Sequence, residues 1–256
     1  MTDSVFDAPL DLPAGDGAPP AIDFAEFKKV VESRRSVRVF DGTPIPEQHV
    51  REAIDLALLA PNSSNLQPWE FHWVRSPEKK AALVAACLSQ PAASTAAELI
   101  VCVARTDTWR AMRARMLAAF AGQKGVPASV LDYYRKLVPF VYTVGPLGVL
   151  ARLRGAAMWC VGFFRPVPRE PSSRAELQTW AVKSTALGCE NLMLAFRAQG
   201  WDTCPMEGMD SSRVKKLLGL PRGATIVMVV GAGKRSSKGV YGPRLRFDRA
   251  LFVKEH

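Results

Sequence analysis

Arg34, Arg35, Ser36 and Arg38 crowd into five residues near the start of the chain. Guanidinium forks match phosphate oxygens, and a turn at Ser36 would bring Arg34 and Arg38 together, so this set reads as an anion-binding cluster. Far downstream Arg244 and Arg246 stand two apart, the spacing that puts both on one face of an extended segment. With Arg34 they supply three guanidiniums from distant parts of the sequence, enough for a phosphate dianion. A different chemistry resides in Pro61-Asn62-Ser63-Ser64-Asn65-Leu66-Gln67-Pro68. Asn62, Ser63, Asn65 and Gln67 are uncharged donor–acceptors in a short loop bounded by prolines, and they suit a planar heterocycle with amide-like edges better than a phosphate or a metal. A third stretch is Pro205-Met206-Glu207-Gly208, where Pro205 fixes the backbone and Gly208 lets main-chain amides approach a ligand. Plainer readings exist: a surface basic cluster for the first, a polar helix-to-strand turn for the second.

Other chemistries find little support. His49, His72 and His256 show no paired spacing, so no metal site is expected. Cys87, Cys102, Cys160, Cys189 and Cys204 are odd in number, scattered and without a C-x-x-C, which reads as reduced thiols in a cytoplasmic protein. The segment Gly231-Ala232-Gly233-Lys234-Arg235-Ser236 invites comparison with a triphosphate-binding loop. Met228 stands where its first glycine belongs, and Gly239 and Pro243 deny it a following helix. The net charge is +10, but the arginines are spread rather than gathered with aromatics on one element. That favours a solvated basic surface, or attraction of anionic cofactors, over a nucleic-acid partner.

These residues must be held by recognisable elements. Residues 1–22 carry aspartate, proline, glycine and alanine without lysine or arginine, and read as a disordered acidic arm with no secretory signal. A single domain is expected over 23–256. Helices are predicted from about Asp23 to Glu32, over 47–60 and over 77–88; strands over 69–74 and 99–104. Residues 106–174 read as an insertion forming a lid or an interface element, with a basic helix at 110–120 and another at 130–138. Two apolar runs follow, 139–150 and 155–164, separated by Arg152 and Arg154 and each too short to span a bilayer. Peripheral membrane contact is the minor alternative for them. The longest helix is predicted over 176–199, with small residues that suit a dimer interface or plain core spacing, and an apolar strand over 224–231.

Taken in order, Arg34-Arg35-Ser36-Val37-Arg38-Val39-Phe40, the Pro61–Trp69 loop, Pro205-Met206-Glu207-Gly208 and Arg244-Leu245-Arg246 resemble the flavin-binding signatures of the FMN-dependent nitroreductase family. The resemblance spans about 24–104 and 176–247. It implies an α+β three-layer sandwich: a mixed, mostly antiparallel central sheet flanked by helices, in an intertwined homodimer with FMN at the subunit interface. By the same resemblance Arg34, Arg35 and Ser36 meet the FMN phosphate and ribityl chain, Arg38 the N1–O2 edge, and Arg244 and Arg246 complete the phosphate site. Pro61, Asn62, Ser63 and Asn65 reach the flavin from the other subunit, Asn62 standing where the family commonly has serine. Pro205, Met206, Glu207 and Gly208 lie along the ring, with a main-chain amide near Glu207–Gly208 directed at N5, and Gln90 is the nearest candidate for a further amide contact.

The implied activity is ping-pong reduction of nitroaromatics, quinones or similar electron-poor acceptors with NAD(P)H as donor. No covalent catalytic residue is required. Alternatives are a related flavin oxidase, dehydrogenase or ene-type reductase and, from another class, a non-catalytic basic binding protein.

Overall fold

Glu98–Arg105 forms β2, the strand from which the layers are built. Its side chains alternate between two cores, as a strand covered on both faces requires. Leu99, Val101 and Val103 join Leu83 and Val214 on one side; Ile100 and Cys102 join Val50, Leu192 and Phe196 on the other. The first core lies under α3 (Pro77–Ala86) and α10 (Ser211–Leu218), the second under α2 (Glu47–Leu58) and α9 (Arg174–Ala198). The result is the expected three-layer α+β arrangement. This computed structural model describes residues 18–256, so the expected acidic arm lies outside the described residues as far as residue 17.

Strands β1 (Trp69–Trp73), β2, β3 (Asp202–Met206) and β4 (Ala224–Gly233) pair in the order β1-β2-β4-β3, every pair antiparallel. The parallel component, among the described residues, is a single bridge from Ser36 to Thr203. Strand β3 is absent from the sequence-based expectations because Pro205–Gly208 reads as a turn. As an edge strand it tolerates proline, which lacks the donor a central strand would need.

The glycines once compared with a nucleotide loop are strand residues chosen for close packing. A Cβ at Gly231 would sit 2.6 Å from the Ala92 carbonyl oxygen, in α4 (Pro91–Ser94), and one at Gly233 would sit 2.8 Å from the Phe40 ring. Gly231→Ala is therefore expected to cost about 1–3 kcal/mol by overpacking, read from urea unfolding midpoints.

The helix α1 (Phe24–Ser33) starts where expected, with Asp23 Oδ1 accepting from Ala25 N at 2.8 Å. Residues 106–174 fold as α5 (Trp109–Ala121), α6 (Ala128–Asp132), a π-helical turn (Tyr133–Leu137), α7 (Val138–Tyr142) and α8 (Val149–Val161). Leu66, Trp109, Tyr134, Val138, Tyr142 and Leu177 form a third core that docks this region on the amide-rich loop and α9. The arginines between the two apolar runs do not break the chain's regular structure. Helix α8 continues through Arg152 and Arg154, and Arg154 turns inward to donate to the carbonyls of Phe140, Thr143 and Pro171.

Four of the five thiols are buried and Cys160 is exposed. Burial pushes the Cys87 thiol up to about 11. A disulfide reagent at pH 8 should therefore modify Cys160 rapidly in the native protein and the other four only after unfolding. Rapid native labelling of Cys87 would contradict the packing.

Candidate functional site

The first helix delivers the arginines. It ends as Arg34 N donates to Val30 O, and the chain then extends along β3. Val37 is fully buried and its N–H donates to Thr203 O at 3.0 Å; Arg38 N donates to Gly239 O at 2.6 Å. Extended backbone alternates, so pinning Val37 inward leaves Ser36 and Arg38 on the opposite side. The tail returns to the same place: Arg35 Nη2 donates to Gly242 O at 2.6 Å, while Arg244 Nη2 donates to Glu32 O at 2.8 Å and to Arg34 O.

These contacts enclose a cavity of about 400 Å³ lined by Arg34, Arg35, Ser36, Arg38, Arg244 and Arg246, together with residues 240–243 and Leu245. Among the described residues no carboxylate lines it. The nearest charge partner, Glu190, stands 3.9 Å from Arg34 Nε. Arg35 and Arg244 spend hydrogen bonds on the backbone and so hold the cavity's shape. Arg246 donates only to its neighbour Leu245 O, and the Arg38 guanidinium has no acceptor among the described residues. Behind this segment the hydroxyls of Thr203 and Ser236 are buried without a partner among the described residues, though neither lines the cavity. Concentrated guanidiniums with so little carboxylate beside them are the donor set for a phosphate. The segment Arg244–Arg246 is exposed and makes no strand within the single chain, unlike the extended face expected for it.

The expected turn Pro205–Gly208 is instead the end of a strand and its exit: Pro205 and Met206 pair with Val230 and Val229, and Glu207 and Gly208 lead out of β3. Met206 is buried, Glu207 and Gly208 are exposed, and a Cβ on Gly208 would meet nothing within 4 Å. The Gln90 amide donates to Gly208 O and to Cys87 O, each at 3.1 Å, which fixes the turn from behind. The N–H groups of Glu207 and Gly208 find no acceptor among the described residues.

The amide-rich loop sits apart: Pro61, Asn62, Ser63 and Asn65 do not line the arginine cavity. Its backbone is unusual, with Ser64, Asn65 and Gln67 all at positive φ (57°, 46° and 44°). Such residues cost about 1–3 kcal/mol each and persist only when over-determined by their surroundings. Here Asn62 Oδ1 accepts from Gln67 N at 2.8 Å, Ser63 Oγ meets the Tyr142 hydroxyl at 3.2 Å, Ser64 Oγ meets that of Tyr133, and the Tyr134 hydroxyl donates to Ser64 O at 2.9 Å. Burial holds the Tyr134 and Tyr142 phenols above their usual range, so both stay neutral donors. Sequence reasoning missed these three tyrosines, because nothing local links residues 133–142 to a loop some seventy positions earlier.

Comparison with known proteins adds a separate line. A family model described as "Nitroreductase family" matches residues 31–234. A protein named NADH dehydrogenase from Thermus thermophilus is 27% identical over 226 residues, covering 88% of this chain and 95% of that one. The 4-nitrobenzoate reductase of Pseudomonas putida is 28% identical over 212 residues, covering 81% and 85%. A protein from Exiguobacterium sibiricum, solved in complex with FMN, superposes with a TM-score of 0.67 at 24% identity, over 94% of this chain and all of the other.

Proposed function

Because the chain belongs to the nitroreductase family, we propose that it is an FMN-dependent oxidoreductase that uses NAD(P)H to reduce nitroaromatics, quinones or a similar electron-poor acceptor. The observation that carries this reading is the carboxylate-free arginine cavity, set one strand-length from a turn with free main-chain donors. From Thr203, beside the arginines, to Glu207 is about 13 Å at ~3.3 Å per residue, a span suited to a molecule with a phosphate at one end and a ring at the other.

In this reading Arg34, Arg246 and the Ser36 hydroxyl hold the phosphate and ribityl chain, while Arg35 and Arg244 keep the cavity in shape. Bound FMN supplies hydride transfer between donor and acceptor. Arg38 provides positive charge at the N1–O2 edge, where negative charge collects on reduction. The Glu207 and Gly208 N–H groups are donors for N5, and the Gln90 amide holds their turn in place. No side chain is required to act as nucleophile or base, so the protein's contribution is orientation and charge.

The amide-rich loop is remote from this cavity within one chain, and a second copy would supply it. Exposed apolar surface supports that partner: Phe24, Phe27 and Val31 on α1, with Leu56, Leu59 and Leu187 on or next to α2 and α9, are all at least 40% accessible. Homodimerisation thus completes each site with Asn62, Ser63 and Asn65 of the other subunit. Donor and acceptor take the same place in turn, so double-reciprocal plots of NAD(P)H against a quinone or nitroaromatic acceptor should be parallel. Converging lines, or no turnover with any nitro or quinone compound, would overturn the reading.

A further inference from the structure

The helix α8 is built inside out. In a surface helix the apolar stripe faces the core and the polar face meets water. Here Ala151, Arg154, Gly155 and Met158 are the less exposed side, while the side toward solvent carries Leu150, Leu153, Ala157 and Trp159 with one charge, Arg152, and is continued by Phe163 and Phe164 in the turn after the helix. Exposure reaches 63% at Leu153, 68% at Phe163 and 91% at Phe164. The turn before the helix adds Leu147, 84% exposed, at the tip of Gly145-Pro146-Leu147-Gly148, where both glycines have positive φ. This surface is held firmly. The segments 128–142 and 146–161 meet at 82°, and the inward Arg154 ties their junction to Phe140, Thr143 and Pro171.

Basic charge dominates around the surface. Between Tyr133 and Arg169 there is no aspartate or glutamate, and Arg135, Arg152, Arg165 and Arg169 are exposed; at its margins Lys136 is paired with Asp132 at 2.7 Å and Glu170 follows Arg169. Two copies meeting through such faces would bring these four arginines together with few carboxylates to offset them. An anionic lipid surface meets both demands: acyl chains for leucine and aromatic side chains, and acidic headgroups for the basic rim. No single helix among the described residues is long and apolar enough to cross a membrane; the bent pair 128–142 and 146–161 is so by length and composition, but Tyr134, Val138 and Tyr142 of its first half are buried in the third core, so the contact is that of a wedge lying in the interface.

We propose that residues 140–165 dock the protein on anionic membrane surfaces, with the outer face of α8 seated among the lipids and the arginines at headgroup level. This surface is separate from the α1–α2–α9 face and does not depend on the flavin reading.

The test is co-sedimentation of the purified full-length protein with vesicles of phosphatidylglycerol and phosphatidylcholine in equal parts, and with phosphatidylcholine alone. Partitioning should be at least about tenfold stronger on the anionic vesicles and fall with added salt. The exposed double substitution F163E/F164E should cut it by about tenfold or more, since two phenylalanines would lose their burial in lipid, with the thermal midpoint unchanged. Recovery of the wild-type protein in the supernatant with both vesicle types overturns the proposal. So does equal sedimentation of wild type and variant. Should F163E/F164E instead turn a dimer into a monomer on ultracentrifugation while leaving vesicle binding alone, the face is a contact between copies and the proposal also falls.

Discussion

Replacing Arg34 and Arg246 together by alanine is expected to yield a colourless protein. Each guanidinium offers charge-assisted hydrogen bonds to the phosphate, worth about 1.5–3 kcal/mol apiece, so their joint loss weakens FMN binding by about 10²–10⁴-fold. The fold should survive. Among the described residues Arg246 donates only to its neighbour's carbonyl, and Arg34 has one long contact, with Glu190. Circular dichroism identical to wild type, with loss of the visible flavin bands, is the predicted pair of observations. Arg244→Ala provides the contrast: its guanidinium ties the tail to the end of α1 through Glu32 and Arg34, so colour and local order should be lost together.

A second large effect is expected at Asp202, whose side chain is only 3% exposed. It accepts from Arg197 Nη1 at 2.8 Å and from Arg235 Nε at 2.7 Å, joining the end of α9, the start of β3 and the end of β4 beneath the arginine cavity. Removing one partner of a buried charge set leaves the others uncompensated. The arginines left behind are 22% and 38% exposed, so Asp202→Ala should destabilise the protein by about 1.5–3 kcal/mol in urea unfolding. Asp202→Asn keeps the shape but not the charge, and should recover only part of that loss. A change below about 1 kcal/mol for Asp202→Ala would show that water already screens the triad.

Much of this was legible in the sequence because it was local. The Asp23 cap, the unbroken apolar run of β2, and the two arginine sets each announce themselves within a few residues. What escaped was non-local. Asp202 carries no local signal, and Arg235 read as the tail of a failed phosphate loop; only folding brings them together. The tyrosines that brace Ser63 and Ser64 belong to a region whose periodicity is broken by the π-helical turn at Tyr133–Leu137. Helix α8 was hidden for a different reason. Arginines in an apolar run look like a break, yet Arg154 is the strut that closes the junction and Arg152 is the only charge on the helix's outer side.

The most direct measurement is the affinity of the cofactor-stripped protein for FMN compared with riboflavin, which differ only in the phosphate. If the guanidinium cavity is the phosphate site, FMN should bind at least about 10²-fold more tightly, and the R34A/R246A protein should bind the two about equally. Equal affinity of the wild-type protein for both, or no uptake of either, would contradict the assignment of this cavity.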